Sequence, residues 1–362
     1  MAEPTETSGA TSPRPPRHEN PAADGLLRTV IPGSTRKPRS AVPDDDPAVP
    51  RPQSSRVDYP IPDRPEPPPV PNGWYSITGT DDLALGEVLS VVAVARELVV
   101  YRDRNGEAHV IDAHCPHLGA HLGGGTVSGD TITCPYHGWR YGPDGACVEI
   151  PYSDARIPSR ACVNTYPVCE QDGFVFFWYH AGGRPPAYEI PRVEELAEPG
   201  WSRAHPWRFE LVAAMQEMAE NNVDYAHLKY VHRRAYVPND TSRFIPDGPF
   251  STVIELLPDG QEFYRHTWGP GVAILRVPNL MTVFTTTTPI DRRHCRMHWH
   301  FLFKGQIEEM SEDLIAGVTG PYGLQADVPI WRDKIFLEQP VLVKADGNIA
   351  EFRQWYSQFY ES

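Results

Sequence analysis

Between residues 74 and 179 the apolar positions come in short alternating bursts: "VLSVVAVARELVVYRD", "HVIDAHC", "TITCPY", "RYGPDGACVEI" and "FVFFWYH". Turn dipeptides such as Asn105-Gly106 and Asp144-Gly145 separate them. Period-two alternation broken by turn residues predicts a small all-β domain. The pattern then changes. Residues 209–234, "FELVAAMQEMAENNVDYAHLKYVHRR", are rich in helix formers and contain neither Pro nor Gly, which predicts a helix. Strand patterning resumes over 251–304, and a helical pattern follows over 308–336. The chain therefore reads as α+β: an all-β domain over 70–182, then an α+β domain with an antiparallel sheet over 183–362.

The first 69 residues follow neither pattern. Eighteen of the 39 prolines lie within residues 1–71, among Ser, Thr, Arg, Asp and Glu and almost no aromatics. Such a stretch cannot bury enough apolar area to offset its ordering entropy, so 1–69 is expected to be a disordered Pro-rich tail. It lacks the apolar segment of a secretory signal. Elsewhere the longest apolar runs, such as 89–101, fall well short of the roughly 18 residues of a spanning helix. A soluble, cytoplasmic chain with no membrane span is expected. The net charge of -14 argues against nucleic acid, which needs a basic surface. There is no Walker loop and no GxGxxG opening a helix after a strand, so the chain carries no nucleotide site of its own.

Six cysteines are few for this length, and two stand at ligand spacing with histidines. Cys115-Pro116-His117 and Cys134-Pro135-Tyr136-His137 are separated by 16 residues. Two thiolates and two imidazoles can fill a tetrahedral zinc site. They can also hold a Rieske [2Fe-2S] cluster, with the cysteines on one iron and the histidines on the other. Cys-x-His is shorter than the usual zinc-finger spacing, and both halves sit between strands, which favours the cluster. His114 and His121 flank the motif and read as structural.

A second group lies in "EMAENNVDYAHLKYVHRR". Asp224 and His227 share a helix face, whereas His227 and His232 lie about 140° apart on a regular helix. The helix must bulge or end near Lys229 if both imidazoles meet one metal. Two histidines and a carboxylate make the facial triad that leaves iron(II) open positions for O2 and substrate. Asp327 in "QADVPIWRDK" is the first candidate for that carboxylate, followed by Asp333 and Glu338.

From residue 71 to the C-terminus the chain resembles the Rieske non-haem iron oxygenases of the sterol 7-desaturase and 3-ketosteroid 9α-hydroxylase group. The stretches that carry the resemblance are "PNGWY", "DAHCPHLGAHLGGG", "CPYHGWRYGPDGACVEIPY", "DYAHLKYVH", "DVPIWRDK" and "FRQWYSQFY". The Rieske and iron motifs are shared across the superfamily, and the last two stretches narrow it to this group. Ala120 and Tyr136 stand where respiratory Rieske proteins carry a disulfide. The resemblance implies a Rieske domain followed by a helix-grip-like catalytic domain. Cys115, His117, Cys134 and His137 would hold the cluster, and His227, His232 and Asp327 the mononuclear iron. Asp224 would bridge His227 to His137 of a neighbouring subunit in a homotrimer.

The resemblance further implies a terminal oxygenase using O2, with electrons from NAD(P)H through a separate reductase or ferredoxin. Its substrate would be a hydrophobic small molecule, a steroid or sterol, hydroxylated or desaturated. Competing readings are tailoring of a non-steroid natural product or aromatic substrate, a Rieske electron carrier without oxygenase activity, and a zinc-stabilised interaction protein. The pocket is expected between the second domain's sheet and its helices, with His298 and His300 structural or at its edge.

Overall fold

The computed structural model describes residues 65–238, 240–257 and 260–361. The expected tail lies outside the described residues apart from 65–69, where Glu66 pairs with Arg293 at 3.1 Å. No helix among the described residues is long and apolar enough to cross a membrane.

The N-terminal domain is built from three antiparallel sheets. One pairs Phe174–Tyr179 with Gly73–Gly79 on one side and Val168–Gln171 on the other. Five consecutive residues of that central strand, "FVFFW", are buried. This explains why its sequence is a continuous apolar run rather than an alternation: both of its faces are covered. A second sheet joins Val88–Ala93, Arg96–Arg102, Ala108–Asp112 and Thr165–Tyr166. The third joins Thr126–Ser128, Thr131–Thr133, Arg140–Tyr141 and Cys147–Glu149; the Cys134 loop links its second and third strands, and the Cys115 loop leads into it from the second sheet.

The second domain is a seven-stranded antiparallel sheet in the spatial order His205–Val212, His294–Phe303, Met281–Pro289, Val272–Val277, Glu262–Trp268, Phe250–Leu256, Ser242–Asp247. Its helices include Met215–Ala219, Tyr225–Tyr230, Ser311–Thr319, Leu324–Asp333 and Ile349–Tyr356. The single helix expected over 209–234 is corrected here. Residues 209–212 belong to the edge strand His205–Val212, which pairs residue for residue with His294–Phe303. The rest divides into two short helices separated by a 3-10 turn, Glu220–Asn222.

Side-chain alternation gives the sheet two different faces. From strand His294–Phe303, Met297, Trp299 and Phe301 join the core that includes Leu314, Leu324 and Trp331 of the covering helices. His298, His300 and Leu302 point the other way. Leu302 packs with Phe174, Phe176 and Trp178 of the first domain, and His300 stacks on Phe174 at 4.5 Å. Hydrogen bonds lock this contact: Ser76 Oγ lies 2.7 Å from Thr286 Oγ1, and Thr288 Oγ1 donates to Ser76 O at 2.6 Å. The turn Val94-Ala95, with φ of 51° and 58°, is held by Val94 N donating to Pro289 O and Ala95 N to Ile290 O.

This left-handed turn suits glycine better than alanine. Ala95 is exposed, so Ala95→Gly is expected to stabilise the fold by roughly 0.5–1 kcal/mol, read as a higher unfolding midpoint. A second expectation concerns acid. Burial, reinforced by Arg208, pushes His298 and His300 from 6.5 down to about 4. Both are therefore neutral in the fold near neutrality, whereas the unfolded chain takes up their protons at the ordinary value. Since the unfolded state binds more protons between the two values, this contribution to stability is lost as pH falls from about 6.5 to about 4. Urea midpoints measured across that window should drop, and less steeply in His298→Gln/His300→Gln. An unchanged slope in the double variant rules the pair out as the cause.

Candidate functional site

The two Cys/His loops fold in the same way. Cys115 N donates to Ala120 O at 2.9 Å and its carbonyl accepts from Gly119 N at 2.9 Å. Cys134 N donates to Trp139 O at 2.8 Å and its carbonyl accepts from Gly138 N at 3.1 Å. Each turn requires a left-handed residue, Gly119 at φ 77° and Gly138 at φ 73°. Glycine occupies such positions without a Cβ clash. The repeat buries both cysteines to 2% exposure and leaves His117 and His137 half-buried, their rings 4.7 Å apart.

Burial raises the Cys134 thiol pKa, while the backbone amides of Tyr136 and His137 bond its sulfur and oppose that shift. Tyr141 Oη lies 3.0 Å from Cys115 Sγ. His117 stacks on Trp139 at 4.4 Å, and Trp139 Nε1 donates to Tyr152 Oη at 2.8 Å. Two buried sulfurs, amides directed at one of them, and two imidazoles on the outer side suit a [2Fe-2S] cluster. His114 and His121 pair with each other across an isolated bridge, each 3.6 Å from Glu97, apart from that donor set.

In the second domain Asp224 caps the helix Tyr225–Tyr230: its Oδ1 accepts from His227 N at 3.2 Å. The helix stops at Tyr230, and His232 N donates back to His227 O at 3.4 Å, five residues away. This widened turn swings His232 toward His227, and the rings lie 4.9 Å apart. Asp327 arrives from the first turn of Leu324–Asp333. One ligand atom from each of His227, His232 and Asp327 lies within 4.8 Å of the other two.

The surrounding bonds orient these donors. His232 Nδ1 bonds Tyr322 O at 3.0 Å, and His227 Nδ1 bonds the Asp224 carbonyl. With both Nδ1 atoms engaged as donors, both Nε2 lone pairs remain to meet a metal. His232 Nε2 is 3.3 Å from Asp327 Oδ2. Asn221 Nδ2 donates to Asp327 Oδ1 at 3.3 Å, and Trp331 Nε1 donates to Asn221 Oδ1 at 3.4 Å. Burial works against the charge on Asp224, but hydrogen bonds and charge from His227 prevail and hold its carboxyl below the usual range. Asp333 instead pairs with its neighbour Arg332, at the far end of the helix.

A cavity of 240 Å³ opens beside the three donors, walled by Met215, Met218, Leu275, Val283, Met297 and Trp299. It lies between sheet and helices, as expected. His298 and His300 belong to the opposite sheet face, against Phe174. Sequence reasoning missed Asn221 and Tyr322, which orient the site; neither stands at a spacing that would announce its role. Glu220 is structural: buried, it accepts from Arg353 Nη2 at 3.0 Å and ties the site to the C-terminal helix.

Residues 73–167 match the Rieske [2Fe-2S] domain family. Pseudomonas putida CBB5 NdmA, solved with caffeine, superposes with a TM-score of 0.66 at 20% identity, over 78% of this chain and 89% of that one. Dicamba monooxygenase, solved with dicamba, superposes at 0.61 and 18% identity, over 79% and 96%. The fold is that of the Rieske-type oxygenases. Residues 177–360 match the 3-ketosteroid 9alpha-hydroxylase C-terminal domain. Relatives include a cholesterol 7-desaturase of Caenorhabditis elegans, 29% identical over 81% of this chain and 78% of that protein. Cholesterol 7-desaturase nvd of Bombyx mori is 32% identical, over 81% and 70%. The oxygenase component of 3-ketosteroid-9-alpha-monooxygenase from Rhodococcus rhodochrous is 29% identical, over 80% and 82%. The chain belongs to the 3-ketosteroid 9α-hydroxylase family of Rieske oxygenases, enzymes with a [2Fe-2S] cluster and a mononuclear iron that use O2.

The paired glycine turns give a direct test. A Cβ on Gly138 would meet Pro151 Cγ at 3.0 Å in a conformation already strained for other residues. Gly138→Val is expected to lose most of the visible cluster absorbance and acid-labile sulfide while the far-ultraviolet dichroism of the second domain persists. Full cluster content in this variant would contradict the role given to the turn.

Proposed function

We propose that Cys115, His117, Cys134 and His137 hold the cluster, and that His227, His232 and Asp327 hold the mononuclear iron of an oxygenase acting on a steroid or sterol. The observation that carries this reading is the meeting of three oriented donors, within 4.8 Å, at the wall of an apolar cavity. When bound, the cluster supplies electrons one at a time and the iron supplies O2 activation, leading to hydroxylation or desaturation. The protein's own contribution is positional. Asp224 O and Tyr322 O fix the two imidazole tautomers, Asn221 fixes the Asp327 carboxylate, and Met215, Met218 and Trp299 exclude water from the reacting carbon. The names of the relatives, desaturases of cholesterol and a monooxygenase of 3-ketosteroids, favour a steroid or sterol.

In this reading Asp224 links the two centres between copies of the chain. Its carboxylate is anchored to His227 and is a third exposed, so it is free to receive His137 of a neighbouring copy in a homotrimer. Support comes from the cluster tip, where Leu118, Tyr136 and Tyr152 are 64%, 63% and 60% exposed around the two histidines. Apolar surface of that kind favours a protein partner. Electrons enter from a separate reductase or ferredoxin, in keeping with the lack of a nucleotide motif.

His227→Ala is expected to lose the mononuclear iron and all turnover while keeping the cluster spectrum. Loss of the cluster would refute the two-centre assignment. Asp224→Asn should keep both metals yet block reoxidation of the reduced cluster by O2 and substrate, and normal turnover would remove its bridging role. With a surrogate reductase, NADH and a panel of sterols and ketosteroids, product mass should rise by one oxygen atom or fall by two hydrogens. No conversion, with both metals present, would set aside the steroid substrate.

A further inference from the structure

One wall of the cavity carries an oxidisable pair that the reading above uses only as bulk. Trp299 lines the cavity from strand His294–Phe303, on the same face as Met297. Trp207 stands directly opposite it on the neighbouring strand His205–Val212, and the ring centroids are 5.6 Å apart. That strand is an edge of the sheet, and Trp207 is half-buried there, whereas Trp299 is buried. Phe209 packs on both rings, 4.3 Å from Trp207 and 5.7 Å from Trp299. Two indoles in contact thus run from the cavity wall to the rim of the protein.

Hydrogen bonding sorts what each indole does after losing an electron. The indole N–H is a donor only, and oxidation of the ring makes it a strong acid. Trp299 Nε1 is buried and has no partner among the described residues. Its oxidised ring therefore has no base to take the proton and stays a strongly oxidising cation, quenched by an electron from a neighbour. Phe209 is far harder to oxidise than indole, which leaves Trp207. Trp207 reaches water, which takes its proton and traps the radical. The pair conducts outward. Trp331, the other tryptophan of the cavity, differs: its Nε1 donates to Asn221 Oδ1 at 3.4 Å, and its ring meets no other aromatic ring among the described residues.

We infer that Trp299 and Trp207 form an escape route for oxidising equivalents that arise at the iron when no substrate is there to be oxidised. With hydrogen peroxide as the oxidant the step balances. Peroxide takes up two electrons and two protons to become two waters. One electron comes from the iron, which passes from iron(II) to iron(III), and the other from Trp299. Trp207 then gives an electron to Trp299, loses its Nε1 proton to water and is left as a neutral radical. The route spares Met215, Met218 and Met297, whose thioethers line the same cavity and would otherwise be oxidised to sulfoxides. The inference rests on the iron being held by His227, His232 and Asp327.

The test exposes the iron-loaded, substrate-free protein, under argon, to equimolar hydrogen peroxide with the radical trap 2-methyl-2-nitrosopropane, which forms a covalent bond to a carbon-centred indole radical. Digestion and peptide mass mapping then locate the adduct. Trp207 should carry most of it. Trp299→Phe should remove most of the adduct from Trp207 and move oxidation to Met218, Met297 or Trp331, and Trp207→Phe should move it to Trp299 or the cavity methionines. Wild-type adducts confined to Trp331 or Tyr322, or none at Trp207, overturn the inference. So does an adduct at Trp207 that is unchanged in Trp299→Phe. Should that variant fail to fold, the wild-type map and Trp207→Phe still decide: no rise in cavity oxidation in Trp207→Phe overturns the route. His227→Ala, with its iron content measured, separates this failure from that of the metal assignment. Loss of both iron and adduct upholds both. Loss of iron with the adduct retained overturns the route alone, and retained iron with an adduct still dependent on Trp299 overturns the metal assignment alone.

Discussion

Everything in this molecule depends on the strict alternation of side chains along the seven-stranded sheet. One set of residues, Ser76's partners Thr286 and Thr288 together with His298, His300 and Leu302, seals the sheet to the Rieske domain. The residues between them, Thr285, Thr287, Met297 and Trp299, face the cavity. A slip of one position in strand pairing would exchange the two sets. It would put the imidazoles of His298 and His300 where substrate belongs and methionine where the domains join. The shared register of strands Met281–Pro289 and His294–Phe303 therefore fixes domain docking and cavity lining together.

The proposed metal donors are positioned by a second layer of the same economy. The helix Tyr225–Tyr230 is only six residues long, too short to be stable on its own. Asp224 caps it, Tyr225 is buried in the cluster of Phe352, Trp355 and Tyr356, and Arg234 just beyond it is tied to the sheet through Glu255. The site thus sits on a short, overdetermined element, which suits donors that must be held with little angular freedom.

Much of this was legible in the sequence, for identifiable reasons. The Cys/His loops announce themselves because spacing, glycine turns and flanking strands are all local. Asp224, His227 and His232 lie within nine residues, and the requirement that the helix end near Lys229 follows from helical geometry; it ends at Tyr230. The boundary of that helix was not legible. Residues 209–212 continue into the helix-forming stretch without a Pro or Gly break, but their pairing with 294–297 outweighs local preference. Asp327 ranks above Asp333 and Glu338 for its place on a downstream helical stretch, and only the resemblance makes it a ligand, since the approach to His232 is tertiary and leaves no local spacing signal. Long-range polar contacts gave no local signal at all. Nothing about Glu255 and Arg265, ten residues apart in a strand-turn-strand unit, says that they share a buried bond with Arg234.

The two histidines are neighbours in the chain, but the carboxylate is not, His232 and Asp327 being 95 positions apart. An ion gripped by both would act as a clasp between the segment that follows Tyr225–Tyr230 and the helix Leu324–Asp333. Its affinity then belongs to folding as much as to chemistry. With the site assignment proposed above, scarce iron would leave this clasp open, and proteolysis would then remove the chain before it could bind a substrate that it could not oxidise.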